Sequence, residues 1–337
     1  MLSKDGIQQL FSDFNKLRIM IIGDVMIDSY VFGKVDRISP EAPVPVVAVE
    51  KRVNRLGGAA NVALNIRSLG ATPILCSVIG NDQKAVDFLQ LLNQNEMPVT
   101  GILQSENRIT TTKFRIIGNK MQMLRVDEEQ LNDLDDNEQS GLETLIAQII
   151  HNEQIDAVIF QDYNKGVLTT QLISFATQLA NEKKIPIVVD PKKKNFLAYR
   201  NVTLFKPNLK ELKEGLNVDG VLKTTAQISE AMKTLQHKIE CEYVMVTLSE
   251  KGVLINHFEK GKTPDEIHFP AHIRNIADVS GAGDTVISVA TLCLALKQSA
   301  GIIAGISNLA GGIVCEEVGV IPIDKNRLME ESLKISF

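Results

Sequence analysis

The stretch Asp278-Val279-Ser280-Gly281-Ala282-Gly283-Asp284-Thr285 places a glycine-flanked carboxylate directly before an apolar helix predicted from Val286 to Leu296. Glycine lets the backbone approach a ligand closely, and the free amides at the start of a helix attract an anion. We therefore predict that the backbone of Gly281, Ala282 and Gly283 forms an anion hole for a phosphate group. Asp284 is placed to accept a proton from a substrate hydroxyl as that oxygen attacks phosphorus. The structural alternative is a glycine-rich turn in which Asp284 caps the helix.

Apolar runs of strand length alternate with helical patterns on the N-terminal side of this stretch. In chain order these are Ile19 to Ile22, a helix from about Ala59 to Leu69, Ile74 to Ile79, a helix from about Gln83 to Leu92, Ala157 to Phe160, a helix near Gln171 to Leu179, Ile187 to Val189, Thr203 to Phe205 and Tyr243 to Val246. Such apolar strands, separated by helices, are typical of a parallel sheet covered on both faces. We predict one α/β domain over residues 1–337, with a doubly wound, mostly parallel sheet flanked by helices.

Two segments depart from this alternation. Residues 31–49 carry prolines at positions 40, 43 and 45 among valines, and residues 109–126 alternate polar and apolar positions around a turn at Gly118-Asn119. Together they predict a small antiparallel β-sheet that acts as a lid, because a phosphoryl-transfer site must exclude water. For residues 39–45 alone, a stiff proline-containing linker is an equal alternative.

Composition limits the partners of this chain. It has 337 residues, 44% of them hydrophobic, and a formal net charge of -5, so we expect no general attraction to nucleic acid or to an anionic membrane. The apolar region from Thr285 to Cys315 is divided by Lys297-Gln298-Ser299 into pieces too short to span a bilayer, and it predicts two buried helices. The N-terminus lacks an apolar signal core, and the scattered cysteines indicate core thiols, so we predict a cytoplasmic protein.

Small and acidic residues follow the first predicted strand. Asp24 and Asp28 stand at or just after its carboxyl end, where parallel sheets bind ligands, and their carboxylates can accept hydrogen bonds from sugar hydroxyls. An aspartate in that position is also a common turn former. Gly57 and Gly58 open the next helix beside Asn61 and leave room for a polyhydroxyl ring, although a close helix-to-sheet contact would need the same glycines.

Charged residues also follow later strands. Lys165, in the run Asp162 to Gly166, and Asp190 with Lys192 come directly after predicted strands and could contact a substrate phosphate. A short lysine run is also the usual mark of a solvated face. The segment Asn208-Leu209-Lys210-Glu211 has the spacing of a helix capping box, and Glu211 could additionally orient water around a magnesium-bound phosphate.

The chain carries neither a GxxxxGK[ST] phosphate loop nor the signature set of protein kinases. It resembles the ribokinase-like (PfkB) carbohydrate kinases from about Leu17 to Ile323. One family signature is matched by Gly57-Gly58, Asn61, Gly70 and Gly80, and the other by Asp278 to Asp284. The resemblance implies a central sheet with a β lid, and ATP and Mg²⁺ as cofactors. It also implies that Asp284 is the base. The nucleotide would be surrounded by Asn208, Leu209, Lys210, Glu211, Thr247, Ser249 and Gly252. The sugar would be held by Asp24, Asp28, Gly57, Gly58 and Asn61.

A narrower resemblance rests on Gly23 to Tyr30, Arg37 to Val46, Asp190-Pro191-Lys192 and Lys206-Pro207-Asn208. These runs are similar to the D-glycero-β-D-manno-heptose 7-phosphate kinases, which phosphorylate the anomeric oxygen on the route to ADP-heptose. Asn164 stands where relatives often carry glycine. The alternatives are another sugar or nucleoside kinase of the same fold and a catalytically silent binding protein.

Two expectations concern partners. Many relatives continue into a nucleotidyltransferase domain with an HxGH motif, which is absent from this sequence, so we expect that activity on a separate protein. The valines of residues 44–49 predict an apolar outer face on the lid and hence a homodimer.

Overall fold

The computed structural model describes residues 2–218, 220, 222–258 and 265–335. Its strands are β1 Arg18–Gly23, β2 Val25–Ile38, β3 Pro45–Gly58, β4 Thr72–Gly80, β5 Ile102–Ser105, β6 Thr112–Gly118, β7 Met121–Glu128, β8 Ala157–Gln161, β9 Ile187–Asp190, β10 Leu204–Phe205, β11 Tyr243–Thr247, β12 Val253–His257 and β13 Asp265–Phe269. Its helices are α1 Lys4–Asp13, α2 Ala59–Ser68, α3 Gln83–Gln94, α4 Asp136–Asn152, α5 Thr170–Glu182, α6 Leu209–Gly215, α7 Thr225–Ile239, α8 Ala282–Ala295, α9 Ala300–Val314 and α10 Lys325–Ser332.

The large sheet of the described chain has nine strands in the order β13-β12-β11-β10-β9-β8-β1-β4-β5. The neighbouring strands in the part β11-β10-β9-β8-β1-β4-β5 pair in parallel. Strands β12 and β13 add an antiparallel edge. The order runs outward in two directions from β1 and β8, which is the doubly wound arrangement that the sequence predicted. This prediction is confirmed, as are the individual strands and helices on which it was based.

Helices cover both faces of this sheet because the central strands are apolar on both sides. In β1, Ile19 and Ile21 pack into one buried cluster with α1, α2, α8 and α9, whereas Met20 and Ile22 pack into a second with α4, α5 and α7. Alternate residues of a strand point to opposite faces, so one uniformly apolar run supplies both cores. The carboxyl end of β1 therefore lies between two packed layers.

The apolar C-terminal region forms the two buried helices that the sequence predicted. Helix α8 ends at Ala295 and α9 begins at Ala300, and Lys297-Gln298-Ser299 lies in the turn between them. Within the described part of the chain, no helix is both long enough and apolar enough to cross a bilayer. All four cysteines are buried and unpaired with one another, as core thiols should be.

The second sheet has four strands in the order β3-β2-β6-β7 within the described residues. The sequence predicted it as antiparallel, and this is wrong for one pairing, because β2 and β6 run parallel. The hairpins β2-β3 and β6-β7 are antiparallel, as alternation and turn residues within each segment indicate. Only the docking of one hairpin on the other is parallel, and such docking leaves no local pattern in sequence.

The strands of the small sheet are also longer than predicted. Hairpin β2-β3 spans Val25 to Gly58 rather than residues 31–49, so only Asp24 separates the end of β1 from the start of the small sheet. Residues 39–44 form its connecting loop, with Pro40 and Pro43 in the loop and Pro45 as the first residue of β3. The linker alternative for residues 39–45 is therefore replaced by a hairpin loop, in which prolines occupy positions that need no ladder hydrogen bond.

Candidate active site

The glycine motif forms the N-terminus of α8. Gly281 precedes the helix with φ 81°, a left-handed conformation that favours glycine, and no side chain caps the helix there. Asp278 holds the approach to the helix, because its carboxylate accepts hydrogen bonds from the backbone N–H of Ser280 at 2.9 Å and of Gly319 at 3.0 Å. The backbone N–H of Ala282 donates to the carbonyl of Val279 at 3.3 Å, so the predicted anion hole is supported for the amides of Gly281 and Gly283 and not for that of Ala282.

Asp284 lies in the first turn of α8 and is only 6% exposed. Its Oδ2 accepts a hydrogen bond from Asn61 Nδ2 at 2.7 Å, and its Oδ1 accepts from the Tyr163 hydroxyl at 2.8 Å and from Gln161 Nε2 at 3.2 Å. These donors are side chains of α2, of β8 and of the loop after β8, not backbone groups of α8. The capping alternative is therefore not supported, and the carboxylate is held from outside its own helix.

Burial raises the pKa of Asp284 to about 6, against the opposing hydrogen bonds from Asn61 and Tyr163. A carboxylate with a pKa near 6 is mostly ionised at neutral pH yet basic enough to take up a proton, which suits a general base.

A short chain of polar groups leads from Asp284 to a buried cation. Gln161 Nε2 also donates to Asp190 Oδ2 at 3.3 Å, and Asp190 Oδ1 lies 3.2 Å from Lys206 Nζ. The Lys206 side chain is only 3% exposed. A methyl group placed on Gly283 would lie 4.0 Å from Lys206 Nζ, so the glycine backbone adjoins this ammonium with room between them. Lys206 thus contributes positive charge beside the predicted anion hole.

Asn61 is oriented by its own helix and by α8. Its backbone carbonyl accepts from Asn65 Nδ2 at 2.9 Å, and Asn65 Oδ1 accepts from the Thr285 hydroxyl at 3.0 Å and from the backbone N–H of Ile323 at 3.1 Å. Among the described residues, Asn61 Oδ1 is buried and has no hydrogen-bond partner. This oxygen can accept a hydrogen bond from a bound hydroxyl, as predicted for Asn61.

Asp24 is placed inside the protein rather than toward open space. Its carboxylate accepts three backbone N–H groups of one loop, from Tyr163 at 2.8 Å, Lys165 at 3.1 Å and Val167 at 3.0 Å. Burial nevertheless raises its pKa. The turn-forming alternative does not account for these contacts, because the donors belong to the distant loop after β8 and not to a turn at Asp24. Sugar binding by Asp24 stays a prediction.

Asp28, Gly57 and Gly58 lie together at the base of the small sheet. Gly57 faces the Asp28 carboxylate so closely that any side chain would overlap it, and Gly58 has φ 61° with the backbone carbonyl of Asp24 beside it. Asp28 forms an ion pair with Arg115. Glycine is therefore required at both positions by the close approach of neighbouring atoms. This close approach also brings β3 and α2 next to the site.

The predicted nucleotide residues follow β10 and β11. Asn208 and Glu211 form the capping box of α6, with Asn208 Oδ1 accepting from Glu211 N at 2.8 Å and Glu211 Oε2 accepting from Asn208 N at 2.9 Å. Glu211 also pairs with Lys192. Leu209 and Lys210 occupy the first turn of α6, where Leu209 packs against the core and the Lys210 side chain is exposed.

Thr247, Ser249 and Gly252 lie at the end of β11 and in the turn to β12. Thr247 pairs with Asn208 across an isolated bridge, which brings the two predicted nucleotide segments together. Gly252 has φ 88°, and a side chain there would overlap the backbone of Phe269. Glycine is therefore required sterically at residue 252, whether or not a ligand binds there.

Lys165 and Lys192 are both engaged in ion pairs. Lys165 Nζ lies 2.8 Å from Glu129, and Lys192 contacts Glu211. Although burial opposes it, the carboxylates of Asp190 and Glu211 raise the pKa of Lys192 and keep it charged. The sequence-predicted residues thus lie on two sides of Asp284. Asp24 and Asp28 lie toward the small sheet, and Asn208 to Glu211 lie on the other side.

Asn164, where the family resemblance predicts glycine in many relatives, has φ 55°. This left-handed conformation suits glycine best and asparagine next, so the substitution keeps the backbone of the loop.

A cavity of about 950 Å³ lies between the small sheet and the glycine motif. Tyr30, Arg55 and Arg115 line it from the small sheet, and Asp278 and Ser280 line it from the glycine motif. Sequence reasoning missed Arg55 and Arg115, together with Gln161, Tyr163 and Lys206. Arg115 lies in the alternating segment 109–126, Tyr163 in the run Asp162 to Gly166 and Lys206 in Lys206-Pro207-Asn208, so these runs were usable signals that were not turned into site residues. Arg55 and Gln161 stand in no recognisable spacing.

The site combines a buried carboxylate with the uncapped start of a helix at the carboxyl edge of a doubly wound sheet. This combination suits the chemistry of a small-molecule kinase. The chain belongs to the pfkB family of carbohydrate kinases, whose model matches residues 16–326. Its class as a sugar kinase, predicted from sequence, is therefore confirmed.

Relatives and solved structures agree with this family. The chain is 35% identical over 98% of its length to the bifunctional protein HldE of Syntrophotalea carbinolica and 39% identical over 90% to that of Helicobacter pylori J99. It covers 66% and 63% of those two proteins, so it spans about two thirds of the length of the relatives it matches. Similar folds are the tetrameric inhibited form of phosphofructokinase-2 from Escherichia coli (TM-score 0.75, 18% identity, 95% of this chain and 99% of that one) and Arabidopsis thaliana ribokinase complexed with ribose and ATP (TM-score 0.70, 15% identity, 95% and 99%).

Proposed function

We propose that this protein transfers the terminal phosphoryl group of ATP to the anomeric C1 hydroxyl of D-glycero-D-manno-heptose 7-phosphate. The products are the 1,7-bisphosphate and ADP, in the cytoplasmic route to ADP-heptose for lipopolysaccharide core. The carrying observation is the buried Asp284 carboxylate under the uncapped start of α8, held by Asn61, Gln161 and Tyr163. The resemblance of Gly23 to Val46 to heptose 7-phosphate kinases supports the particular sugar, as do the HldE relatives.

In this proposal Asp284 accepts the proton of the C1 hydroxyl while the hydroxyl oxygen forms a bond to the terminal phosphorus. The bond between that phosphorus and the bridging oxygen of ADP breaks at the same centre, and Asp284 later returns its proton to water. The amides of Gly281 and Gly283 and the Lys206 ammonium stabilise negative charge on the transferred group. Asn61 aligns the base and offers its free Oδ1 to the sugar.

Magnesium is proposed to arrive with the nucleotide. Among the described residues, no group of three or more His, Cys, Asp or Glu side chains could hold a metal ion by itself. Mg²⁺ in kinases needs only one or two protein carboxylates besides phosphates and water, and we propose Glu211, which is held in the capping box of α6 beside Lys192, as one that acts through water. When bound, the ion neutralises charge on the phosphates. The predicted role of Glu211 through water remains part of this proposal.

ADP release, measured with ATP and Mg²⁺, tests the proposal across D-glycero-D-manno-heptose 7-phosphate, fructose 6-phosphate, ribose, fructose and adenosine. We expect the heptose phosphate to have the highest kcat/KM by a wide margin. A higher value for another sugar would keep the kinase and discard the heptose assignment. The Asp284→Asn variant is the blank for contaminating kinases, because a contaminant would turn over equally in both preparations.

A further inference from the structure

The large cavity beside the glycine motif is lined by charged residues of mainly one sign. Its basic side chains are Lys34, Arg55, Arg115 and Lys120, and its acidic side chains are Glu50 and Asp278. The two acids are already engaged, Glu50 with Lys34 at 3.4 Å and Asp278 with two backbone N–H groups. Arg115 is in turn paired with Asp28, so the excess positive charge of the cavity is carried by Arg55 and Lys120.

Arg55 and Arg115 are held side by side by the register of the small sheet. Asp28 lies opposite Arg55 in the β2-β3 ladder, and Tyr30 lies opposite Arg115 in the β2-β6 ladder. Because Asp28 and Tyr30 are two residues apart, all four side chains share one face of the sheet. Both guanidinium groups lie 5.3 Å from the centre of the Tyr30 ring.

The two arginines are positioned rather than free. Arg55 donates to the carbonyl of Val320 at 3.0 Å, and Arg115 pairs with Asp28. Each contact uses one nitrogen of a guanidinium that carries five N–H donors, so donors remain for a ligand. A planar guanidinium matches the oxygens of a phosphate in a two-point contact, and a pair of them suits a dianion.

The position of these arginines separates them from the predicted nucleotide residues. The small sheet starts where β1 ends, whereas Asn208 and Thr247 follow β10 and β11. Strand β11 is four places from β1 in the sheet, which corresponds to roughly 19 Å at the usual strand spacing. The cavity also reaches Ser280 of the glycine motif. A ligand in this cavity therefore reaches the transfer site from the side of the small sheet.

We propose that Arg55 and Arg115 form an anion subsite that binds the phosphate carried by the sugar substrate at the end remote from the reacting hydroxyl. The proposal rests on the proposed function in assuming a phosphorylated sugar. It assigns the small sheet a role in specificity, because a phosphate on the sugar supplies the counter-charge that Arg55 lacks among the described residues and shares Arg115 with Asp28. A volume of about 950 Å³ accommodates a seven-carbon sugar phosphate.

The test compares kcat/KM for heptose 7-phosphate with kcat/KM for the same heptose without its phosphate. We expect the wild-type ratio to fall about 10- to 100-fold in Arg55→Gln and in Arg115→Lys, since each variant loses charge-assisted hydrogen bonds to phosphate. The loss should appear in KM for the phosphorylated sugar rather than in KM for ATP. Arg115→Lys keeps a cation beside Asp28, and Tm is measured for each variant so that misfolding is recognised.

Arg125→Gln is the matched control, because Arg125 lies on the same sheet, is half exposed and does not line the cavity. Its ratio should equal that of wild type. Unchanged ratios in folded Arg55→Gln and Arg115→Lys, with an active wild type, would overturn the subsite and leave the proposed function standing.

Failure of the heptose assignment with an intact subsite can also be recognised. A wild type that ignores heptose 7-phosphate but prefers fructose 6-phosphate over fructose, with the same dependence on Arg55, would keep the subsite and discard the heptose assignment. A wild type with no preference for phosphorylated sugars would overturn the subsite. Competition by inorganic phosphate against the sugar, and not against ATP, is the expected independent sign of an anion site.

Discussion

At the scale of single residues, the site depends on how the Asp284 carboxylate is held. Three side chains from different elements, Asn61, Gln161 and Tyr163, donate to its two oxygens. They orient the carboxylate and partly offset the cost of burying its charge. The proposed base is therefore held by neighbouring side chains as well as placed by its helix.

Asp284→Asn removes the base and keeps the shape of the side chain. We expect kcat to fall at least about 100-fold, because an amide cannot accept the proton, while the dissociation constant for ATP stays nearly unchanged. Steady-state ADP release and ATP titration by calorimetry measure the two quantities. Turnover at the wild-type rate in this variant would show that Asp284 is not the base.

The pH dependence of kcat/KM follows from the same carboxylate. Since burial raises the pKa of Asp284 to about 6, its ionised form is lost as the pH falls through 6. We expect activity to be level near neutrality and to decrease tenfold per unit well below pH 6. A profile measured from pH 5 to 8 checks this, and activity that stays level down to pH 5 would contradict the raised pKa.

Tyr163 is a positioning residue for this base. Its hydroxyl donates to Asp284 at 2.8 Å and so favours the ionised carboxylate. In Tyr163→Phe we expect the acidic limb of the profile to move up by about one pH unit, with a lower kcat at neutral pH.

Tyr199→Phe is the matched control for that shift, because the Tyr199 hydroxyl donates to Asp162 at 2.7 Å rather than to Asp284. An unmoved limb in Tyr163→Phe, or an equal movement in Tyr199→Phe, would argue against direct tuning by Tyr163.

At the scale of elements, one carboxylate organises the loop that follows β8. Asp24 at the end of β1 accepts three N–H groups of residues 163–167 and thereby places Tyr163 against Asp284. Strand ends in a parallel sheet lie at one edge, so an aspartate after one strand can hold the loop after its neighbour. Asp24 thus acts on the site through loop position.

Asp24→Asn should show this structural role. The amide NH₂ group faces backbone N–H donors and cannot accept from them, so we expect the free energy of unfolding to fall by about 2 to 4 kcal/mol. Urea unfolding measures it, with Asp36→Asn on the exposed part of β2 as a control expected to change little. Wild-type stability with a raised KM for the sugar would instead favour the predicted sugar contact.

At the scale of the whole molecule, the small sheet carries exposed apolar side chains. They include Ile38, Val44, Val49, Met121, Met123, Leu124 and Val126. Exposed apolar residues grouped on one sheet are typical of an interface, and the sequence predicted a homodimer through this segment. That assembly stays a prediction, as does the role of the sheet as a lid.

Leu124→Glu tests the assembly, because Leu124 is 57% exposed on β7. We expect sedimentation velocity to give a dimer for wild type and a shift toward monomer for the variant, since a charge is costly to bury in an apolar contact. Val86→Glu on α3, where the side chain is 45% exposed, is the control and should leave the mass unchanged. A monomeric wild type at micromolar concentration would remove the dimer prediction.

The local patterns of the chain determined the large sheet, its helices and the position of the predicted base, Asp284, at a helix start. Runs such as Ile19 to Ile22 are short and apolar at every position, which is typical of a strand buried on both faces. Asp278 to Thr285 combines glycines, a carboxylate and a helix start within eight residues. Such signals survive in sequence because the residues that interact are neighbours along the chain.

Tertiary structure alone decided which distant residues complete the site. Gln161 and Tyr163 are more than 120 residues from Asp284, and Arg55 and Arg115 meet over Tyr30 only because two hairpins dock in parallel. No spacing in sequence encodes a contact between strands whose register is set by packing. Local chemistry is therefore read from the chain, whereas the alignment of the base and the charge of the cavity arise from the fold.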